Sequence, residues 1–252
     1  MAIGIGTHAF AESRYSPAVF LEGEDSFVNK ITFPESDQDV LATILCDAIV
    51  TNTGRFRNSN CYYDKSLSIR DYKTAVDRVT ETKKVFFKPA SIDGNHKRVA
   101  LKFSVIFQKK DNEKKIWTFL NHGVEIAKYG NDYISAQLHK TGNLRTYSRC
   151  YAGNSFWMAS TIGVDGTPGN IKAIKSDAPA LCKEVIQEIF NEFRFIPATK
   201  NGQSVLSRSL SYIQLTYRGS TGGINLDQRT KNQSPNVDSD DIIATFNGLD
   251  FL

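Results

Sequence analysis

Apolar and polar residues alternate most regularly between Arg98 and Gln108. Val99, Leu101, Phe103, Val105 and Phe107 fall on one side, and Ala100, Lys102, Ser104 and Ile106 on the other. A period of two places these sets on opposite faces of a half-buried strand. The charged run Lys109 to Lys115 follows, and apolar residues resume from Ile116 to Ala127, so the pattern predicts a hairpin. Further strands are predicted at 133–138, 144–151, 156–162 and 205–217. Two apolar-rich runs between Ala18 and Phe33, broken at Glu22-Gly23-Glu24-Asp25, predict another hairpin. Val40 to Val50 fits a strand or a helix equally, and 66–84 has apolar residues at roughly helical spacing. The strongest helix signal runs near 177–194, with Leu181, Val185, Ile189 and Phe193 four apart, Ser176 or Asp177 able to cap it, and Pro179 in the first turn.

These elements predict a mainly β chain of the α+β class, a barrel or sandwich with insertions and one firm helix. No internal repeat is expected, and composition changes once, near Gly222. The boundaries that follow are a β-rich domain at 1–221, a polar linker at 222–234 and an acidic, apolar-ended tail at 235–252.

Composition adds charge to this picture. The tail holds four aspartates and no Lys or Arg, so the body carries all 31 cations against 23 of the 27 acids, a net +8. A basic body with an acidic tail suits polyanion binding with the tail as competitor. No run of apolar residues is long enough to span a bilayer, and the N-terminus lacks the pattern of a signal peptide. Cys46, Cys61, Cys150 and Cys182 are scattered, which predicts reduced thiols in a cytosolic protein.

The sequence carries no phosphate-loop, nucleophile-elbow or dinucleotide motif, and its four histidines lack metal-ligand spacing. The expectation is therefore a protein that is not an enzyme and uses no cofactor or metal. Binding chemistry is richer. On a strand over 145–151, Arg145, Tyr147, Arg149 and Tyr151 share one face, offering guanidinium groups to phosphates and rings to bases. Arg55, Phe56, Arg57, Tyr62 and Tyr63 lie in a stretch that reads as a loop able to close over such a strand. The segment Gly163 to Gly169 reads as a loop between strand and helix.

The tail, with Asp238, Asp240, Asp241, Phe246, Phe251 and Leu252, resembles the C-terminal tails of single-stranded DNA-binding proteins of bacteria and tailed phages. In this chain Ile242 to Leu249 intervene between the acids and the apolar end. The resemblance covers residues 235–252 alone. It implies an oligonucleotide-binding (OB-like) barrel that binds single-stranded nucleic acid, most readily DNA, with little sequence preference. It also implies a tail that recruits replication, recombination or repair proteins, in the cytoplasm of a bacterial or phage-infected cell. The alternative is a viral coat or nucleocapsid-type protein that forms homo-oligomers through a C-terminal docking arm.

Overall fold

The structure, a computed structural model, describes residues 14–63, 69–122, 125, 128–142, 154–218 and 223–227. Two strand–strand–helix–strand units follow one another along the chain. In the first, β3 (Val40–Val50) and β4 (Phe56–Tyr62) form a hairpin, α2 (Arg70–Thr80) crosses, and β8 (Val99–Lys110) returns beside β3. In the second, β12 (Ser155–Ile162) and β13 (Pro168–Ser176) form the hairpin, α3 (Ala180–Phe190) crosses, and β17 (Ser207–Arg218) returns beside β12. Both sheets are antiparallel with the same spatial order, third strand, first, second.

The correspondence extends to the flanking segments. In the first unit β1 (Tyr15–Ser16) pairs with β6 (Ala90–Ile92), and β2 (Val19–Phe20) with β5 (Phe87–Lys88). Tyr15 faces Ile92 and Phe20 faces Phe87. In the second, β10 (Tyr133–Ile134) pairs with β15 (Ala198–Lys200), and β11 (Gln137–Lys140) with β14 (Arg194–Ile196). Tyr133 faces Lys200 and Leu138 faces Phe195.

The motif Phe87, Pro89, Ala90, Gly94 recurs as Phe195, Pro197, Ala198, Gly202. It ends in the hairpins of β6 with β7 (Asn95–Lys97) and β15 with β16 (Gln203–Val205). Both turn residues of each hairpin have positive φ, Asp93 at 49° with Gly94 at 74° and Asn201 at 51° with Gly202 at 75°. Two-residue turns of that hand match the twist of the flanking strands.

Gly54 and Gly166 complete the match. Their φ values are 77° and 75°, and their carbonyls accept the N–H of Phe87 (3.0 Å) and of Phe195 (2.9 Å). A Cβ at either glycine would fall 2.0 Å from the carbonyl oxygen of the same phenylalanine. The expectation of no internal repeat is therefore corrected: the chain holds two copies of one unit. Outside the short motif the copies share register and topology, not residue identity, which conceals the repeat in the sequence.

Each unit supplies most of one core, and Ile196 of the second unit completes the first. In the first, Phe27, Phe56, Phe86, Phe87, Phe103 and Phe107 fill the space between the sheet and α2, whose Tyr72, Val76 and Val79 point inward. In the second, Phe156, Met158 and Ile162 meet Cys182, Ile186, Ile189 and Phe190 of α3. Pairing of β11 with β8 and a set of polar contacts tie the units together. The Gln137 amide accepts from Ala18 N–H (2.8 Å) and donates to Ala18 C=O (2.9 Å). Lys102 Nζ donates to the carbonyl of Leu210 (2.5 Å), and Tyr15 OH to that of Asp165 (2.9 Å).

The structure is mainly β, with open antiparallel sheets; among the described residues no barrel closes, so the barrel expectation is not met. Val40–Val50 is a strand, and the predicted 98–127 hairpin is β8 with β9 (Glu113–Phe119). The helix expected near 177–194 is shorter because its expected caps bind elsewhere. Asp177 accepts the N–H (2.6 Å) and hydroxyl (3.0 Å) of Ser155, and Ser176 Oγ accepts Ala178 N–H (3.0 Å).

Glu22 to Asp25 leads into the short helix α1 (Phe27–Lys30), not a hairpin, and Gly163 to Gly169 contains the turn between β12 and β13. The expected linker begins with a strand, β18 (Gly223–Asp227), paired with β17. No helix among the described residues is long and apolar enough to cross a membrane.

The thiol expectation is also corrected. Cys46 and Cys61, directly opposite on β3 and β4, form a disulfide, and Cys182 is likewise disulfide-bonded. Spacing along the chain concealed this because the hairpin, not sequence proximity, brings Cys46 to Cys61. The remaining cysteine, Cys150, lies outside the described residues.

Candidate functional site

Arg145, Tyr147, Arg149 and Tyr151, and the tail residues Asp238, Asp240, Asp241, Phe246, Phe251 and Leu252, lie outside the described residues. The second predicted cluster is described, and it is not a loop. Residues 56–62 form β4, and its residues divide between two faces. Phe56 is buried against Phe27, Phe86, Phe87 and Phe103, so it is a core residue and cannot stack on a base. Tyr63 packs against the same core, whereas Tyr62 turns to the opposite face of the sheet, toward His122. Arg55 and Arg57 remain exposed. The structure thus separates the rings that the sequence placed together.

Arg55 pairs with Val85 as an isolated bridge, which brings it alongside exposed Lys83 and Lys84. These residues with Arg57 make a basic band beside the edge of the first sheet.

On the other face of that sheet, β3, β4 and the segment after β9 bring Asp47, Tyr62, His122 and Glu125 together. His122 Nε2 lies 3.7 Å from Asp47 Oδ1 and 3.3 Å from the Cys46 carbonyl. Glu125 accepts the N–H of His122 (3.3 Å) and the hydroxyl of Ser135 (2.5 Å). Burial is the main cause that lowers the His122 pKa to about 4, opposed by Asp47 and reinforced by Lys102. Burial also raises the Glu125 carboxyl above its ordinary range. A histidine converging with acids is therefore present, but the imidazole side chain is only 16% exposed. Neutral and enclosed, it suits a structural role better than proton exchange with a ligand.

The space open to a ligand lies where the two units meet. A cleft of about 670 Å³ is walled by Val19 to Gly23 and Ser26 to Asn29 of the first unit, with Thr118 to Leu120 at the end of β9. The opposing wall is Asn131 to Ile134 and the hairpin tip Asn201-Gly202 of the second. Val19, Phe20, Val28, Phe119 and Ile134 are half-buried and give it apolar surface, and Tyr133 stacks on Tyr129 behind (4.4 Å). Ligand sites favour such seams, and here polar groups of Glu22, Ser26, Asn29, Asn131, Asp132 and Asn201 share the lining with the apolar side chains. Nothing in the chain's hydropathy pattern marks it, because its walls come from five separate runs of residues that only the repeat packing assembles. Among the described residues no group of His, Cys, Asp and Glu could hold a metal ion.

No family model, no curated protein and no solved structure matches this chain.

Proposed function

We propose that this chain is a non-enzymatic binding protein of an oxidising compartment, whose inter-unit cleft receives an apolar group of its ligand. The observation that carries this reading is the cleft itself, an open space of ligand size in which both copies of one unit contribute half-buried apolar side chains. The disulfide-bonded Cys46, Cys61 and Cys182 support the compartment, since disulfides persist where thiols are not kept reduced. They favour such a compartment over the cytosolic setting.

Small aromatic fragments such as indole and benzyl alcohol test the cleft. Saturation-transfer NMR is expected to show binding that is lost in Val28→Trp, which fills the wall while retaining a cooperative melt. Binding that survives this filling, or no binding at all, overturns the reading.

The basic band favours a second reading, in which Arg55, Arg57, Lys83 and Lys84 bind single-stranded nucleic acid through its phosphates. Fluorescence anisotropy with oligo(dT) is then expected to show affinity that falls steeply with salt. Arg55→Glu/Arg57→Glu should weaken it, and deletion of 235–252, the proposed competing and partner-recruiting tail, should tighten it. Absence of binding at low salt eliminates this reading. Light scattering tests the self-assembling coat-type alternative, which requires large homo-oligomers; a concentration-independent monomer contradicts it.

A further inference from the structure

We infer that the cleft selects a ligand carrying a positive charge next to its apolar group, an aromatic amine or an aromatic residue flanked by Lys or Arg. The inference rests on the cleft reading and adds the chemistry of the ligand. Its first support is the sign of the walls. Glu22 stands on the first unit's wall and Asp132 on the second's, both exposed, and among the described residues no Lys, Arg or His lines the cleft. Neither carboxylate has an ion pair among the described residues. The nearby Lys30 is held by Asp25 at 2.7 Å and does not neutralise Glu22.

The second support is a polar group without a protein partner. Ser26 is 5% exposed and lines the cleft, yet its side chain makes no capping bond to α1. No hydrogen bond of its hydroxyl is found among the described residues. The hydroxyl itself is not among the fully buried unpartnered groups, so it stays open to donate to or accept from a polar group of the ligand. The half-buried Phe20 and Phe119 supply aromatic surface, and a cation over such a ring gains further attraction. An anionic ligand would meet two carboxylates and, among the described residues, no base in the lining.

Calorimetric titration of the full chain with 2-phenylethylamine, 2-phenylethanol and 3-phenylpropionate tests this. The amine is expected to bind about fivefold more tightly than the alcohol, a modest ratio because both acids are exposed to solvent. The propionate should bind more weakly than the alcohol. Glu22→Gln/Asp132→Asn, at exposed positions away from the cores, should abolish the difference, as should about 0.5 M salt.

The amidated peptides Lys-Phe-Lys and Glu-Phe-Glu distinguish a peptide source: the basic one should bind and compete with the amine. If the amine binds and the basic peptide does not, the source is a small molecule. Equal binding of all three phenyl compounds overturns the charge inference and leaves the cleft reading standing. Failure of all three to bind overturns both.

Discussion

Cys46 and Cys61 face each other across β3 and β4 within the first core and close a loop with a sequence separation of 15. A cross-link over such a loop restrains the unfolded chain by about 3 kcal/mol. Replacing both cysteines with alanine should lower the unfolding free energy by at least that much in urea titrations. Iodoacetamide applied to the denatured, unreduced protein should leave Cys46 and Cys61 unmodified; labelling of either would contradict the bond.

His122 gives a second residue-scale prediction. Its folded pKa is about 4, below the ordinary 6.5, so the unfolded chain binds the extra proton between those values. The stability present above pH 6.5 is lost as pH falls toward 4, by about 3 kcal/mol in order of magnitude. Glu125 has the opposite sign. Its raised folded pKa gives stability that is present below its ordinary 4.5 and lost as pH rises through the folded value. His122→Gln should therefore flatten or reverse the pH dependence between 6.5 and 4. An unchanged slope would show that the imidazole is not buried as described.

At the scale of elements, the two hairpin glycines are the sharpest check on the repeat. Gly54→Ala and Gly166→Ala each introduce a Cβ at positive φ and drive it into a carbonyl oxygen, so each should destabilise by about 2 kcal/mol or more. Similar losses at both sites in thermal or chemical melts are expected. A negligible loss at either would break the equivalence of the units.

The alternation from Val99 to Phe107 was legible because one face of β8 is core and the other is only partly covered. The same rule reads β12 less clearly, since its last residues, Met158 to Ile162, are all buried. Phe56 shows the limit of composition: a ring between two arginines looks available, but strand geometry sends it inward while Arg55 and Arg57 stay outside. Helix ends were misplaced for a related reason, as the acid expected to cap α3 instead anchors Ser155 on β12.

For the whole molecule, the repeat explains both where the binding space lies and why the sequence did not reveal it. Most of each core lies within one unit, Ile196 of the second completes the first, and the seam is joined by pairing of β11 with β8, the Gln137 bridge to Ala18 and the Lys102 contact with Leu210. The cleft at that seam is a product of docking, so no contiguous motif encodes it. The cleft's first wall adjoins the basic band, since Leu21 N–H bonds the Phe86 carbonyl and Lys84 lies close enough to Asp25 to lower its pKa.

The central claim, that both units build one ligand site, is tested most directly by a two-dimensional NMR titration of the intact chain with 2-phenylethylamine. Amides of Phe20 to Gly23 in the first unit are expected to shift together with those of Asp132 to Ile134 and Gly202 in the second, all fitting a single Kd. Shifts confined to one unit, or placed away from both walls, would contradict it.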